Sequence, residues 1–472
     1  MTTDFLPTTD LRPAAALRGL AAEVHLPGDG GYDAARVAWN LAVDQRPAAV
    51  VIPRTPAEVA AVVVRAKSSG LRVAPQSTGH NAGPLAARGL DDVVLVKMGA
   101  MTAVRVDPAR RICRVEGGAL WLPAVEAAAG HGLAALHGSS PDVGIAGYSL
   151  GGGIGWYARQ LGLATNSLTA IEIVIGDGTL VRADADHHPE LFWALRGGGG
   201  NFGVVTALEF KLFPIASAYA GMLVWDIVDA EKVLRRWAPW AAAAPNEVTT
   251  SFRRMNLPPL PDIPAPLRGR SLVVIDGAVL ASDEDAPRII GDLRALRPEI
   301  DTFARVPARD LVRLHMDPEG GAPAVSESLM LAGLPDDGID AFLAEVGPGT
   351  ANGLMVAEIR QLGGALGRPH AGGGVVSHFN GQFLAFGASM AMTPEMAAAG
   401  LSDARRLMAG LDPYASGSAY LNFAESPTDT QIAYSRDAYR QLCGIRSGVD
   451  PDNVFAANHT VPRLYENGRP AC

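Results

Sequence analysis

The alternation of apolar and polar positions over residues 48–76 predicts a strand, a helix and a second strand. Residues 48–53 and 71–75 are apolar runs of strand length. Between them, four apolar residues recur at the spacing of one helix face, namely Val59, Val62, Val63 and Ala66. Thr55-Pro56-Ala57-Glu58 has the form of a capping box, with proline at the first helical position. The pattern is typical of two parallel strands joined by a crossover helix.

The pattern along the rest of the chain divides it into three parts. Further strands are predicted at residues 93–97, 112–116, 168–175, 180–182 and 204–213, with Asp177-Gly178 as a hairpin turn. Residues 245–270 carry six prolines and predict a loop-rich stretch. After it, strands are predicted at 271–281, 353–361 and 383–392, and helices at 286–296 and 394–408. We therefore expect an α+β fold with a first domain at 36–214, a second domain of antiparallel sheet backed by helices at 215–419, and a distinct tail at 420–463.

Composition narrows the class of protein. A chain of 472 residues is too long for one ordinary core, and a net charge of −9 argues against nucleic acid as a partner. Cys113, Cys443 and Cys472 are too widely spaced for a disulfide framework or a metal site. The N-terminus carries Asp4 and Asp10 and lacks an apolar signal segment, and no apolar run is long enough to span a bilayer. We expect a soluble, cytoplasmic protein without a membrane partner, and its richness in Ala, Gly, Pro and Arg indicates a bacterial genome.

Two glycine-containing segments carry the candidate chemistry. Gln76-Ser77-Thr78-Gly79-His80-Asn81-Ala82-Gly83 follows a predicted strand, and its small residues let a ligand approach the backbone. His80 places one nucleophilic imidazole beside that ligand, although a lone Thr-Gly-His also fits a capped turn. The second segment runs from Gly144 to Gly155, and its Gly151-Gly152-Gly153 also fits a flexible loop. The glycines of both segments would let them close on one ligand.

A series of motifs in chain order resembles those of the berberine-bridge-enzyme-like FAD-linked oxidases, which have an FAD-binding domain of the PCMH or vanillyl-alcohol-oxidase type. Besides the His80 turn, the motifs are Trp39-Asn40, Gly138-Ser139-Ser140-Pro141-Asp142-Val143-Gly144 with the glycines after it, residues 190–205, Tyr420-Leu421-Asn422-Phe423 and Asp450-Pro451-Asp452-Asn453-Val454-Phe455. The resemblance covers residues 36–214 and 420–463 and is weak between them. It implies a two-part FAD-binding domain, to which the tail returns, and a covalent bond between FAD and His80. The likeness is greatest to the bacterial hydroxynicotine oxidases.

The resemblance also implies which residues bind FAD: Gln76, Ser77, Thr78, Gly79, His80, Asn81, Ala82, Gly138, Ser139, Ser140, Val143, Gly144, Gly147, Tyr148, Gly152, Gly153, Gly155, Val205, Asn453 and Asn458. Ser140 stands where many relatives have a second, cysteine link to the flavin. Because a hydroxyl is a poor nucleophile for that link, we expect attachment through His80 alone. Gly138 matches a position where a small residue leaves room for dioxygen. Asn453 and Asn458 equally fit a turn after Asp-Pro and a solvated loop.

The catalytic base is the point where this chain departs from the family. Phe423 and Ile154 occupy positions where relatives have tyrosines. Glu358, on a predicted strand, matches an active-site glutamate of some relatives with a single flavin link, and in an apolar cleft its pKa would be raised. It shares a strand face with Arg360, so it also fits a surface ion pair on an edge strand. His378 is the second candidate and also fits a structural histidine.

The predicted function is an oxidase that moves hydride from a small organic substrate to flavin N5 and then electrons to dioxygen, giving hydrogen peroxide. Apolar residues of the second domain favour a hydrophobic or aromatic secondary metabolite: Trp225, Phe252, Met255, Leu329, Met330, Leu331, Phe383 and Phe386. Two alternatives remain at this point. Gly153-Ile154-Gly155-Trp156-Tyr157-Ala158 matches a nicotinamide-dehydrogenase motif but lacks the preceding strand. The loss of the tyrosines also fits a non-catalytic flavin- or ligand-binding protein.

Overall fold

The computed structural model describes residues 12–261 and 263–464, so Asp4, Asp10 and Cys472 lie outside the described residues. Its helices are α1 (Arg12–Ala15), α2 (Tyr32–Ala35), α3 (Pro56–Ser68), α4 (Gly83–Ala86), α5 (Trp121–Ala129), α6 (Ile145–Leu150), α7 (Ala158–Leu161), α8 (Pro189–Leu195), α9 (Ala230–Ala243), α10 (Asp285–Ile289), α11 (Gly291–Arg294), α12 (Asp336–Val346), α13 (Pro394–Leu411) and α14 (Arg436–Val449). Over the described part of the chain, none of the helices combines the length and the apolar character needed to cross a membrane.

The strands form three sheets. They are β1 (Glu23–His25), β2 (Ala49–Ile52), β3 (Arg72–Gln76), β4 (Val93–Lys97), β5 (Val104–Asp107), β6 (Ile112–Glu116), β7 (Leu168–Val174), β8 (Leu180–Asp184), β9 (Val204–Lys211), β10 (Ser217–Asp226), β11 (Val248–Asn256), β12 (Ser271–Val279), β13 (Ile300–Asp301), β14 (Ala304–Pro307), β15 (Ala324–Leu331), β16 (Val356–Gln361) and β17 (Phe383–Met390). Mixed sheets and helices in this arrangement confirm the predicted α+β class.

The first sheet has the order β1-β2-β4-β3 and contains the predicted strand–helix–strand unit. β2 and β3 both run parallel to β4, which lies between them, so the two predicted strands are parallel without being neighbours. Helix α3 begins as predicted, because the Oγ1 of Thr55 accepts a hydrogen bond from the backbone N–H of Glu58 at 3.2 Å. The carboxylate of Glu58 accepts from the N–H of Arg54 at 2.8 Å, one residue before the partner that a capping box predicts.

The second sheet, β5-β6-β9-β7-β8, is antiparallel and stands beside the first. The predicted hairpin at Asp177-Gly178 is confirmed, because β7 and β8 pair on either side of it. The tail joins this part of the molecule. Val73 of β3 donates to the carbonyl of Val454 at 2.7 Å and accepts from the N–H of Ala456 at 2.9 Å, so the tail runs along β3.

The third sheet has the order β13-β10-β12-β11-β16-β17-β15, with β14 also paired to β10. Helices α9, α12 and α13 cover one of its faces. Trp237, Phe252, Phe342 and Phe383 lie in the core between the helices and the sheet. The other face turns towards the first two sheets.

The middle of the chain contains more regular structure than its sequence predicts. Residues 245–270 include β11, because the six prolines lie at its two ends and not inside it. The pattern of β11 is hidden because its residues on the second face are polar and still buried, as at Ser251 and Arg253. The predicted helix at 286–296 is divided into α10 and α11, and β10, β15, α9 and α12 are elements that the pattern did not predict.

Candidate active site

His80 lies in a turn directly after β3, and its ring is held on two sides. The Oγ1 of Thr78 is 2.7 Å from Nδ1 of His80. The indole of Trp39 stacks on the imidazole, with 4.0 Å between ring centroids and 15° between the planes. Gly79 has a φ of +88°, and a Cβ there would lie 3.0 Å from side-chain atoms of Gln76. The turn therefore requires glycine beside the histidine.

The second glycine segment packs against this turn, as the sequence predicts for two segments that enclose one ligand. A Cβ on Gly144 would lie 2.5 Å from the Oγ of Ser77, and one on Gly155 would collide with the carbonyl of His137. The triple glycine is a fixed turn and not a flexible loop, since the N–H of Gly153 donates to the Oη of Tyr420 at 3.1 Å. Gly147 of α6 faces open space, with no atom within 4 Å of a Cβ placed there.

Buried polar atoms without a partner surround the turn. In the described residues they include Ser77 Oγ, His80 Nε2, Asn81 Oδ1, Tyr148 Oη and His459 Nδ1. A buried polar group without a hydrogen bond costs about 1–3 kcal/mol. Such atoms on both sides of a glycine-lined space fit a polar cofactor that would pair with them. FAD, with its pyrophosphate and the polar edge of its ring, has the donors and acceptors that this arrangement requires.

Burial and one carboxylate set the charge state of His80. Burial lowers the pKa of His80 to about 4 against the opposing effect of Asp142. Asp142 Oδ1 is 3.9 Å from Nε2 of His80. Burial raises the pKa of Asp142, but hydrogen bonds from Trp39, the N–H of Gly320 and Ser140 bring it below its ordinary value. At neutral pH the turn therefore combines a neutral imidazole with an ionised carboxylate.

The predicted cofactor residues in the segment from 138 to 148 have distinct surroundings. A Cβ on Gly138 would lie 3.0 Å from the ring of Tyr148, so the small residue there makes room for the tyrosine. Ser139 donates to Asp317 of the loop before β15 at 3.2 Å, and Ser140 donates to Asp142 at 2.9 Å. The carbonyl of Val143 accepts from the N–H of Trp121 at 3.1 Å.

Three of the predicted cofactor residues are engaged inside the protein. The side chain of Gln76 bonds to Gln45 at 2.8 Å and to Lys97 at 2.9 Å. Ala82 is fully buried, and Val205 packs in the apolar core of the second sheet. Their side chains support the turn from behind, because hydrogen bonds and apolar neighbours already surround them. Gly152, in contrast, has a φ of +128° and forms part of the triple-glycine turn.

The two asparagines of the tail have different positions. The side chain of Asn458 donates to the carbonyl of Asn81 in the His80 turn. Asn453 has a φ of +58°, and its Oδ1 accepts from Arg446 at 3.0 Å. Asn453 therefore belongs to the turn after Asp-Pro, where its short polar side chain tolerates the left-handed conformation. The geometry favours that alternative over a cofactor contact for Asn453.

Glu358 lies in the middle of the third sheet and not at its edge. β16 pairs with β11 on one side and β17 on the other. Glu358 is 2% exposed and points to the face opposite the helices, where Arg360 binds it through two hydrogen bonds of 2.8 and 3.0 Å. The predicted ion pair between Glu358 and Arg360 is thus correct, whereas the prediction that the pair lies on the surface of an edge strand is wrong.

A buried charge cluster extends from this ion pair. His315 Nε2 is 3.7 Å from Glu358, and its Nδ1 is 2.8 Å from Asp276. Arg253 pairs with Asp276 at 2.5 Å. We call Arg253, Asp276, His315, Glu358 and Arg360 the sheet cluster. The sequence gives one signal for it, an aspartate at position 276 within the apolar strand β12.

The sheet cluster overturns the expectation of a raised pKa for Glu358. Burial acts to raise the pKa of Glu358, but the charges of Arg360 and His315 lower it to well below the ordinary value. The cleft around the carboxylate is ionic and not apolar, so the ionised form is the stable one. His315 shows the opposite balance: burial and Arg253 act to lower its pKa, and three nearby carboxylates raise it to about 9.

The second catalytic candidate, His378, lies apart from the sheet cluster. Its Nδ1 is 3.2 Å from the Oγ of the adjacent Ser377, whose carbonyl accepts from Asn166 at 2.9 Å. Among the described residues, no hydrogen bond or ion pair joins His378 to Glu358. The described residues therefore provide no direct polar contact between the two candidates.

The apolar residues expected to receive a substrate mostly face the wrong side of the sheet. Trp225, Phe252, Leu331 and Phe383 lie in the core under the helices, Leu329 packs against that core, and Met255 belongs to a small cluster around Leu272. Strand alternation explains the error, because composition does not tell which face a residue occupies. Met330 and Phe386 are on the site side, where the ring of Phe386 is 5.2 Å from that of Phe423.

Comparison with known proteins agrees with this geometry. Residues 47–184 match the model of an FAD binding domain. The chain is 28% identical to (R)-6-hydroxynicotine oxidase of Paenarthrobacter nicotinovorans over 93% of this chain and 96% of that protein. The solved wild-type BBE-like 1 of Physcomitrella patens is similar in fold, with a TM-score of 0.82 at 23% identity, over 96% of this chain and 100% of that one.

Glucooligosaccharide oxidase is a third relative. The Sarocladium strictum protein is 33% identical over 231 residues, and this match spans 48% of the chain and 46% of the relative. The solved Acremonium strictum protein, with its 6-S-cysteinyl, 8α-N1-histidyl FAD, has a TM-score of 0.79 at 23% identity over 95% and 98% of the two chains.

The chain therefore carries an FAD-binding domain and has the fold of BBE-like 1. It is an FAD-dependent oxidoreductase with a PCMH-type fold. A nicotinamide dehydrogenase is not favoured, since the segment before Gly153 is the helix α6 and not the strand that such a motif requires.

The sheet cluster predicts a pH dependence of stability. Because the folded pKa of His315 is raised to about 9, its stabilising charge is complete below the ordinary value of 6.5 and is lost as the pH rises through 9. The free energy of unfolding should fall over this interval by roughly 1–3 kcal/mol more in the wild type than in His315→Gln. Denaturant titrations at pH 6 and 9.5 measure the difference, and His131→Gln, at an exposed histidine, is the control. If the free energy of unfolding falls by the same amount between pH 6 and 9.5 in the wild type and in His315→Gln, the assignment of the raised pKa to His315 is wrong.

Proposed function

We propose that this protein is an FAD-linked oxidase that attaches the flavin through His80 and transfers hydride from an organic substrate to flavin N5, then electrons to dioxygen. The observation that carries the proposal is the neutral imidazole of His80, whose Nε2 lies buried without a hydrogen bond where the turn meets the second glycine segment. The name of the full-length relative, an oxidase, supports the same reaction class.

The proposal divides the chain into an FAD-binding domain at 36–214, a substrate domain at 215–419 and a tail at 420–463 that completes the FAD site. The first two sheets end at Lys211, and the third sheet begins at Ser217, which supports the first boundary. Asn81 donates to the carbonyl of Leu421 at 3.1 Å, which supports the role of the tail. The acidic sequence, rich in Ala, Gly, Pro and Arg, supports the cytoplasm of a bacterium as its place of action.

Attachment through a single bond is proposed because Ser140 stands at the position of the second link. Its hydroxyl is a weak nucleophile and already donates to Asp142. The neutral form of His80, in contrast, keeps a nitrogen lone pair available at neutral pH.

Removing His80 should therefore release the flavin on denaturation. We expect acid precipitation of the wild type and of Ser140→Ala to leave yellow pellets, because His80 remains bonded to FAD in both. The same treatment of His80→Ala should leave the flavin in the supernatant. Absorbance of pellet and supernatant near 450 nm measures the two fractions. Complete release of flavin from the denatured wild type would refute covalent attachment.

An oxidase further requires that dioxygen reach the reduced flavin. Gly138 matches the position where relatives leave room for dioxygen, and a side chain there would press on the ring of Tyr148. We expect photoreduced protein to recover its flavin absorbance in aerated buffer faster than free reduced flavin does. Stopped-flow mixing measures both rates under the same conditions. Slower reoxidation than that of free flavin would instead indicate a dehydrogenase with another electron acceptor.

The proposed substrate is a hydrophobic or aromatic metabolite of secondary metabolism. It would lie between the flavin and the second face of the third sheet, where Phe386 and Phe423 form an aromatic wall. The guanidinium of Arg360 is 5.2 Å from the centre of the Phe423 ring, so one end of the wall is cationic. The name of the full-length relative contains (R)-6-hydroxynicotine. This compound combines an aromatic ring with polar atoms, which supports the proposed substrate class.

Glu358 is proposed as the proton acceptor, with His378 as the second candidate. Because Arg360 and His315 keep Glu358 ionised, the carboxylate is ready to accept a proton without first losing one. Its lowered pKa makes it a weak base, so its contribution depends on how closely it approaches the substrate proton. His315 lies behind it at 3.7 Å, and its positive charge helps to hold Glu358 in the ionised form.

Glu358→Gln tests this role, because it retains the shape and removes the charge. We expect substrate-driven flavin reduction to slow by roughly 10²–10⁴-fold, while flavin attachment and the visible spectrum stay unchanged. In the wild type this rate should not fall between pH 7 and 5, because Glu358 remains ionised there. Anaerobic bleaching by phenols, polyketides, alkaloids and oligosaccharides identifies a substrate and measures the rate.

The matched control is Glu327→Gln, which removes a carboxylate paired with Arg405 elsewhere on the same sheet. An unchanged rate in Glu358→Gln would return that residue to a structural role and move the test to His378. If a change at Glu358 and a change at His378 both leave the rate unaltered, hydride transfer and positioning by the pocket are the whole of catalysis.

A further inference from the structure

Asp142 connects three parts of the wall around His80. It accepts hydrogen bonds from the indole N–H of Trp39 at 2.6 Å, from the N–H of Gly320 at 2.8 Å and from Ser140 at 2.9 Å. The same indole stacks on the imidazole of His80. One residue, Trp39, thus fixes both the carboxylate and the plane of the histidine ring.

The two nitrogens of His80 face different chemical groups. Nδ1 is 2.7 Å from the hydroxyl of Thr78, which can donate its proton to the nitrogen. Nε2 is buried without a hydrogen bond, and Asp142 Oδ1 lies 3.9 Å from it. A carboxylate at this distance stabilises positive charge on the imidazole ring.

We infer that Asp142 is a positioning residue for covalent attachment of FAD, which fixes the ring plane of His80 through Trp39 and balances the positive charge that the imidazole acquires on attachment. The inference rests on the proposed attachment through His80 and extends it by naming the group that prepares the histidine.

Attachment would join a ring nitrogen of His80 to the 8-methyl carbon of FAD, and one C–H bond of that methyl group would break and release its proton to solvent. The electron pair of the broken bond would remain on the flavin ring, which would be reduced by two electrons. Dioxygen, the acceptor of the proposed oxidase, would then take up two electrons and two protons and become hydrogen peroxide. Attachment would leave a positive imidazole ring, whose charge the Asp142 carboxylate, 3.9 Å from Nε2, would stabilise.

A purely structural role for Asp142 makes a different prediction. If Asp142 only joins neighbouring segments by hydrogen bonds, it needs no more than acceptor oxygen atoms for the N–H groups of Trp39 and Gly320. The side-chain oxygen of asparagine provides an acceptor of the same shape but carries no charge. Asp142→Asn should therefore leave folding and FAD binding largely intact, and it should change attachment only if the charge matters.

The test measures attachment directly and needs no substrate. Flavin-depleted wild type, Asp142→Asn, Asp142→Glu and the control Asp44→Asn are mixed with FAD in aerated buffer. Asp44 is an exposed carboxylate of the same domain that pairs with Arg36 and Arg46. Gel filtration isolates folded protein with bound FAD, and flavin fluorescence of the denatured band reports the covalent fraction over time.

We expect Asp142→Asn to bind FAD but to attach it at least tenfold more slowly than the wild type and Asp44→Asn. Asp142→Glu, which restores the charge, should attach FAD faster than Asp142→Asn. An Asn variant that attaches FAD at the wild-type rate would overturn the inference. If the Asn variant does not fold, a Glu variant that folds and binds FAD without attaching it would overturn it as well, and one that attaches it would support it. Absence of covalent flavin in the wild type would instead refute the attachment through His80 itself.

Discussion

The close approach of the His80 turn, the second glycine segment and the tail is the constraint on which the site depends. Ser77 lies where a side chain on Gly144 would be, Asn422 fills the position of a side chain on Gly151, and the carbonyl of Glu425 approaches Gly83. These contacts join segments that are up to about 340 residues apart in the sequence. Because the glycine backbone lies directly against two side chains and a carbonyl at these points, the imidazole has only a narrow range of positions. A precise position is what a covalent bond to a rigid, flat ring requires.

The packing of the third sheet against the glycine segments also buries charged side chains on that sheet. When the third sheet covers the glycine segments, its second face loses water, and any ionised side chain there must find a partner. Arg253, Asp276, His315, Glu358 and Arg360 satisfy one another within that layer. The cluster replaces the apolar cleft that would have raised the pKa of a lone glutamate. The absence of the family tyrosines at Phe423 and Ile154 thus coincides with an ionic wall on the substrate side.

The sequence predicts the parts of the molecule in which backbone conformation is encoded locally. Thr55 and Glu58 identify the start of α3, Asp177-Gly178 identifies a hairpin, and the glycines around His80 identify a tight turn. It fails where the outcome depends on which face of a sheet a residue occupies. Trp225 and Phe383 look like substrate contacts in composition but lie under helices. His315 has no local signal at all, because its partners come from β12 and β16 and meet only in the folded chain.

One loop of the second domain connects the two polar centres of the site. His315 belongs to the sheet cluster, Asp317 accepts from Ser139, and Gly320 donates to Asp142 beside His80. Two residues further on, the N–H of Ala322 donates to the carbonyl of Trp39 at 3.1 Å, the residue whose ring stacks on His80. Residues 315–322 therefore contact both Glu358, proposed to accept the substrate proton, and the two residues that hold His80, namely Trp39 and Asp142. Because the loop is fixed at both ends by charged or backbone partners, the distance between the His80 turn and the third sheet is set by hydrogen bonds and does not depend on apolar packing alone. The loop thus links two polar centres whose residues lie far apart in the sequence.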